Sequence, residues 1–334
     1  MSAQVALQAQ QVLRATLGEG RGPFRGDLLD RNGHLLAYSV DADSIYAVPT
    51  EIQDAGKAAS GLCGALADCS TKDRQALADR IRRGRAFVYV RRQATPEQAR
   101  RVAALEMEGI GFMKENRRFY PNKELAAHLL GYVGIDNAGL LGIESTYDSL
   151  IKGHPGTVLI QTDARRHAFS RVERPPTAGA SLELTIDQYL QHIAERELKA
   201  GVEKFNAKGG TAIVVDPQNG EILAEASYPN FNPNFPQEVT SEDARKNRAI
   251  QDTYEPGSTF KIVTAASALD SDTVTVDSEF PGPACIVIAG QELCNFRRRA
   301  YGPHDFGYAL VHSINTTFAQ VGMDIGAEQL ESTM

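Results

Sequence analysis

Residues 254–269 read YEPGSTFKIVTAASAL. A serine follows Pro256-Gly257, an apolar helix-like run opens behind it, and a lysine stands three positions further on. On a helix, residues i and i+3 share a face, so Ser258 and Lys261 are predicted neighbours. A serine hydroxyl is a poor nucleophile until a base takes its proton. A lysine amine can do so when unprotonated, a form that burial favours. The N-terminus of a helix also favours a developing negative charge. Pro256-Gly257 stops the preceding chain and lets the backbone turn sharply.

The pair alone says little. About one S-x-x-K match is expected by chance in a chain of this size, and SLIK, Ser149 to Lys152, is a second. That serine follows ESTYD with no Pro-Gly before it, and reads as surface.

The 334 residues suffice for two domains with sizeable cores. Hydrophobic residues at 42% and charged residues at 23% describe a globular chain. The net charge of −7 speaks against a general nucleic-acid binder. No apolar run reaches the length of a membrane span, and the first twenty residues lack the apolar centre of a signal peptide. Either the chain is cytosolic or its targeting segment lies upstream.

The four cysteines fall into two close pairs, Cys63 with Cys69 and Cys285 with Cys294. All four could be small buried residues. The stretch CIVIAGQELC, however, reads as a hairpin turning at Ala289-Gly290. A two-residue loop there sets Cys285 opposite Cys294 in a non-hydrogen-bonded pair, where side chains approach most closely. In an oxidising compartment that pair is a candidate disulfide, with two buried thiols as the alternative. Cys63 and Cys69 flank a possible helix break, and their case for a bridge is weaker. Neither pair has zinc-site spacing or a nearby histidine.

Along the chain, FRGDLLDRNGHLLAYSV reads as two strands around Asn32-Gly33. Residues 51–85 and 95–108 are predicted helical, the second capped by Thr95 with Pro96 at its first position. Arg80, Arg82, Arg83, Arg85, Arg91 and Arg92 read as a solvated face. Residues 131–156 are glycine-rich, which predicts turns, close backbone approaches and a docking or hinge segment. A boundary falls in VERPPTAGAS, residues 172–181. Beyond it, QYLQHIAERELKAGVEKF is an amphipathic helix with Leu190, Ile193, Ala194 and Leu198 on one stripe. GGTAIVVDPQNGEILAEASYP is an antiparallel hairpin turning at Asn219-Gly220.

KNRAIQDTYEPGSTFKIVTAASALD resembles the active-site segment of penicillin-binding proteins, the peptidoglycan D,D-transpeptidases. HSINTT supplies Ser313 and Asn315, matching the S-x-N element 55 residues after Ser258. RGDLLDRNGHLLA, RRFYPNKELAAHLLGYVG and GLLGIESTYDSLIKGHPG resemble motifs of the class B pedestal. LELTIDQYLQ and GGTAIVVDPQNGEILAEASYPNFNPN resemble the start of the transpeptidase domain. β-Lactamases share the serine-lysine chemistry but have no such pedestal. The spacing of pedestal to serine leans towards division-associated members.

The resemblance implies an α+β chain. A mixed α/β pedestal (dimerisation-type) domain over residues 1–175 would be followed by the first part of a penicillin-binding/β-lactamase-like transpeptidase domain over 176–334, an antiparallel sheet with helices. It implies roles as well. Ser258 would attack the carbonyl between two D-alanines of a stem peptide, and Lys261 would be its general base. Ser313 would relay a proton to the leaving group, and Asn315 would hold the acyl-donor amide. β-Lactams would acylate Ser258. No metal or organic cofactor is implied.

The expected partners are stem peptides, a glycosyltransferase, and division or elongation machinery, with no nucleic acid. The expected location is the extracytoplasmic side of a bacterial plasma membrane. The third element, K-[ST]-G, does not occur by Met334. A fragment cut at both ends, without its anchor helix and C-terminal strands, poorly active and prone to aggregate, is therefore expected. A non-catalytic scaffold or a β-lactam sensor is the alternative.

Overall fold

The computed structural model describes residues 12–16, 24–84, 86–154, 156–162, 168–239 and 241–334. They divide into two compact units, Met1–Asp252 and Thr253–Met334. No helix among the described residues is long and apolar enough to cross a membrane.

The first unit is organised by a six-stranded sheet. Its strands are β1 (Val12–Thr16), β2 (Leu28–Leu29), β3 (Leu35–Ala47), β4 (Val88–Ala94), β5 (Ile110–Phe119) and β8 (Ser181–Leu184). A separate hairpin, β6 (Thr157–Thr162) with β7 (Ala168–Arg174), precedes β8. The sheet order is β1-β8-β2-β3-β4, with β5 also paired to β3. The β2–β3 reversal falls at Asn32-Gly33 as expected. Gly33 has φ 82°, and the Asp30 carboxylate accepts the N–H groups of Asn32 and His34, both at 2.8 Å.

The helical stretch predicted over 51–85 is two helices, α1 (Ala55–Leu66) and α2 (Thr71–Arg83). The break lies at Ala67, with φ 62°, and Cys63 and Cys69 are bonded across it, Cα to Cα 5.3 Å. Ser70 and Asp73 restart the chain with a capping box. The helix α3 (Pro96–Ala103) begins as its sequence specifies, with Thr95 as cap and Pro96 in the first turn. Leu62, Leu66, Leu77 and Ile81 of α1 and α2 bury against Ile45 and Val90 of the sheet. Of the arginine face, Arg82, Arg91 and Arg92 pair with Asp79, Asp68 and Glu115; Arg85 lies outside the described residues.

The glycine-rich segment makes close approaches rather than a long helix. A Cβ on Gly131 would lie 1.8 Å from the Leu141 carbonyl oxygen, and one on Gly139 would lie 1.9 Å from that of Glu144. Beneath them sits a polar cluster that the sequence reading missed. Glu144 accepts Arg25 Nε at 2.5 Å and Arg118 Nε at 2.6 Å, all three side chains at most 1% exposed. Asp148 takes Arg25 Nη1, and Tyr120 OH donates to Glu144 at 3.2 Å. Burial first, and Glu144 second, hold the Tyr120 phenol well above its ordinary range. These residues come from RGD, RRFYP and GIESTYD, so the three pedestal-like motifs converge on one ion-pair cluster.

The helix α4 (Gln188–Lys204) lies on the hairpin of β9 (Gly210–Val215) and β10 (Ile222–Tyr228). Its apolar stripe is only half-buried, and the fully buried residue is Gln191. The amide of Gln191 bonds both backbone groups of Glu225 at 2.8 Å. Two strands are too narrow to cover the stripe, and Ile213, Val214 and Val215 on β9 remain exposed. The composition boundary at 172–181 lies within this unit.

The second unit holds the opening stretch. A 3₁₀ turn, Gly257–Phe260, runs into α5 (Lys261–Asp270). The hairpin β11 (Cys285–Ile288) and β12 (Gln291–Cys294) follows. Its turn residues Ala289 and Gly290 have φ 49° and 82°, the left-handed pair of a two-residue loop. Cys285 and Cys294 are register partners and are bonded, Cα to Cα 4.1 Å. Helices α6 (Phe306–Val311), α7 (Asn315–Ile325) and α8 (Ala327–Thr333) complete the unit. The core is Ala265 and Ala268 of α5 with Val274, Phe306, Ala309, Ile314, Phe318 and Val321.

Candidate active site

The 3₁₀ turn places Ser258 and Lys261 one turn apart, where i and i+3 eclipse. Ser258 is exposed and Lys261 half-buried. The second contributor is the break between α6 and α7. Ile314 is fully buried in the core. Its neighbours Ser313 and Asn315 are exposed and half-buried. Ser313 takes a left-handed backbone, φ 52°, with its N–H on Leu310 O at 3.1 Å.

The four predicted residues meet. Lys261 Nζ donates to Ser313 O at 2.7 Å, to Ser313 Oγ at 2.9 Å and to Asn315 Oδ1 at 2.6 Å. Ser313 Oγ lies 3.0 Å from Ser258 Oγ. Among the described residues no hydrogen bond joins Lys261 to Ser258 directly, so the connection runs Ser258–Ser313–Lys261. The expected lysine-to-Ser258 contact is thus replaced by a bridge.

Burial lowers the Lys261 amine below its ordinary 10.5. No carboxylate contacts it among the described residues, so no counter-charge offsets desolvation there. Its nearest ring is Phe318, 5.5 Å to the centroid. An ammonium would spend its three donors on the three oxygens. A neutral amine keeps two donors, and its lone pair can face Ser313 Oγ. In that state the hydroxyl protons run from Ser258 to Ser313 to Lys261.

Ser149 and Lys152 of the second S-x-x-K are exposed. His312 is exposed and lies tilted against Tyr308, ring centroids 3.9 Å apart. Arg298 pairs with Glu292 at 2.7 Å. Cys285, Glu292 and Cys294 cluster closely enough for a metal, but both sulfurs are committed to the disulfide. A cavity of about 630 Å³ in the first unit, lined by Asp30, His34, Asp187, Tyr189, His192 and Glu195 among others, contains none of the four residues.

Residues 21–184 match the family model for the penicillin-binding protein dimerisation domain, and residues 210–334 match that for the penicillin-binding protein transpeptidase domain. The chain belongs to the class B penicillin-binding proteins. This class B chain is 33% identical over 317 residues to Stage V sporulation protein D of Bacillus subtilis, covering 92% of this chain and 48% of that protein. It is 36% identical over 259 residues to the peptidoglycan D,D-transpeptidase FtsI of Escherichia coli, covering 76% of this chain and 44% of that protein. The chain thus spans about half the length of these relatives. Among solved structures, penicillin-binding protein PBP2 in its complex with MreC from Helicobacter pylori superposes with a TM-score of 0.71 at 23% identity, covering 96% of this chain and 64% of that one. A peptidoglycan synthetase from Bifidobacterium adolescentis gives 0.65 at 24% identity, with 96% and 62% covered.

The structure also exposes a neighbour that sequence reading missed. Asn315 Nδ2 donates to the carbonyl of Cys294 at 3.1 Å. No motif marks this contact, because it is a backbone group on a distant strand.

Proposed function

We propose that the class B chain is the acylating part of a peptidoglycan D,D-transpeptidase, with Ser258 as nucleophile. The observation that carries this reading is the hydrogen-bonded line Ser258–Ser313–Lys261, ended by Asn315 and open to solvent at Ser258.

In the reaction, Ser258 Oγ attacks the carbonyl carbon between the two D-alanines of a stem peptide. Its proton passes through Ser313 Oγ to Lys261 Nζ. The carbon–nitrogen bond then breaks, and the departing D-alanine amine takes a proton back along Ser313. The Asn315 amide holds the acyl donor, and the backbone N–H of Ser258 offers one oxyanion contact. An amine of a neighbouring strand displaces Ser258 from the acyl-enzyme and yields the cross-link. A β-lactam acylates the same hydroxyl, with its ring amide in place of the D-alanyl bond. The chemistry is covalent and electrostatic.

Residues 1–175 serve as pedestal and 176–334 as the transpeptidase portion. The two disulfides support an oxidising compartment, consistent with the outer face of the plasma membrane. The pedestal docks cell-wall synthesis partners, a glycosyltransferase among them. The test is labelling of the full-length protein with a fluorescent penicillin, followed by intact-mass analysis. One adduct per chain, mapped to Ser258 and lost in Ser258→Ala, is expected. An unlabelled wild type would leave a scaffold role.

A further inference from the structure

The polar contacts of the second unit continue past the four site residues. Asn315 is held at both ends of its amide: Oδ1 accepts Lys261 Nζ and Nδ2 donates to Cys294 O. The next residue in each segment repeats the pattern. Thr316 N–H donates to Asn295 Oδ1 at 3.0 Å. The pairs 294–295 and 315–316 therefore form a two-rung clamp.

Asn295 is 4% exposed. Its Nδ2 reaches Pro283 O and Arg299 O at 3.0 Å and Thr316 Oγ1 at 3.2 Å. Its own N–H donates to Ala284 O at 2.9 Å. Both amide hydrogens and the carbonyl are thus used, which is the condition for burying an amide without cost. Thr316 is fully buried, and its Oγ1 donates to Pro283 O at 3.1 Å. The disulfide fixes Cys294 to Cys285, so the carbonyl that receives Asn315 cannot slide along its strand. Asn295 is 34 positions from Lys261 and makes no hydrogen bond to it or to Ser258 among the described residues, yet the contact that holds Asn315 Nδ2, to Cys294 O, lies on the residue beside it.

We propose that Asn295 is a positioning residue for acylation: it locks the β11–β12 hairpin to the start of α7, and so keeps Asn315 Oδ1 on Lys261. The proposal rests on the acyl-enzyme reading above. Without Asn295 the Cys294 carbonyl and the Thr316 N–H lose their common anchor. Asn315 then swings, Lys261 loses a partner and gains water, and its amine moves back towards ordinary basicity.

The experiment measures the second-order rate of acylation of the full-length protein by a fluorescent penicillin from pH 6 to 10. Asn295→Ala should slow acylation about 10–100-fold, the scale of a small misplacement of a catalytic group. It should also move the midpoint of the rise with pH upwards. Thr316→Val, which keeps the backbone rung, should do the same by roughly 3–10-fold. A rate and midpoint equal to wild type in Asn295→Ala overturn the proposal. So does a slower rate with an unmoved midpoint, because general loosening alone would give that. If Asn295→Ala does not fold, Thr316→Val decides by the same two readings. A wild type that is not labelled at Ser258 removes the acyl-enzyme reading and the positioning role together, whereas a labelled wild type with indifferent variants removes only the latter.

Discussion

Two polar constellations in this molecule are built from distant segments, and they differ in one respect that separates structure from chemistry. In the first unit, Arg25 and Arg118 face Glu144 and Asp148, two guanidinium groups against two carboxylates, with Glu144 and both arginines at most 1% exposed. In the second, Lys261 has only neutral partners among the described residues, Ser313 and Asn315, and the line ends at an exposed serine. The first is closed: each charge meets its opposite, and removing one partner strands another in a dry site. The second leaves a half-buried amine with no counter-charge among the described residues, which favours its neutral form and supports the proposed role as base. Charge balance, rather than the number of hydrogen bonds, distinguishes them.

Breaking the reactive cluster at its end should have the largest effect. Ser258→Ala should abolish penicillin labelling of the full-length protein while leaving its denaturation curve unchanged. Retained stoichiometric labelling would move the nucleophile elsewhere. Lys261→Gln should come next, slowing acylation by about 10²–10⁴, the usual share of a general base. In the wild type, acylation should rise with pH through a midpoint below 10.5, because the base must be neutral and burial lowers its affinity for the proton. A pH-independent rate would dissolve the contrast with the closed cluster.

Glu144→Ala tests the other side. It leaves Arg25 and Arg118 buried without their carboxylate and should cost about 3–5 kcal/mol in urea unfolding. A loss below 1 kcal/mol would mean that the ion pairs are hydrated in solution. The smallest effect belongs to Asp148→Asn. Burial raises the Asp148 carboxyl, but the Gly139 N–H and Arg25 outweigh it and hold the group below its ordinary 3.8. Its contribution is therefore present above the unfolded value and lost as pH falls through the folded one. The variant should flatten the acid limb of a stability–pH curve, with a loss at neutral pH on the order of 1 kcal/mol. An unchanged acid limb would show that the Arg25 contact is solvated.

Short-range rules carried much of this structure. The Ala289-Gly290 turn fixed the register that sets Cys285 opposite Cys294, because a two-residue loop leaves no freedom in pairing. Thr95-Pro96 fixed the start of α3, and i+3 spacing placed Lys261 beside Ser258's turn. Ser313 and Asn315 were reached only through the resemblance to penicillin-binding proteins, since nothing local in HSINTT distinguishes a site from an ordinary helix break. Asn295 was invisible for a related reason: its worth lies in a clamp to Thr316, 21 residues away, and a lone asparagine after a cysteine carries no periodicity. The Glu144 cluster was likewise hidden, because charged residues read as solvated until their partners 26–123 positions away are known. The helix α4 shows the opposite failure. Its stripe is legible, but burial depends on the width of the sheet below it, a tertiary quantity.

The backbone of Ser313 restricts what selection can do at that position. At φ 52° a residue with an unbranched or absent Cβ substituent is tolerated, whereas a β-branched side chain is strongly disfavoured. Threonine, which would keep an aliphatic hydroxyl in the proposed proton line, is therefore a replacement that the local conformation resists. Saturation of codon 313 should return glycine or asparagine among folded variants more readily than threonine, so the hydroxyl of the proposed relay has no easy chemical substitute.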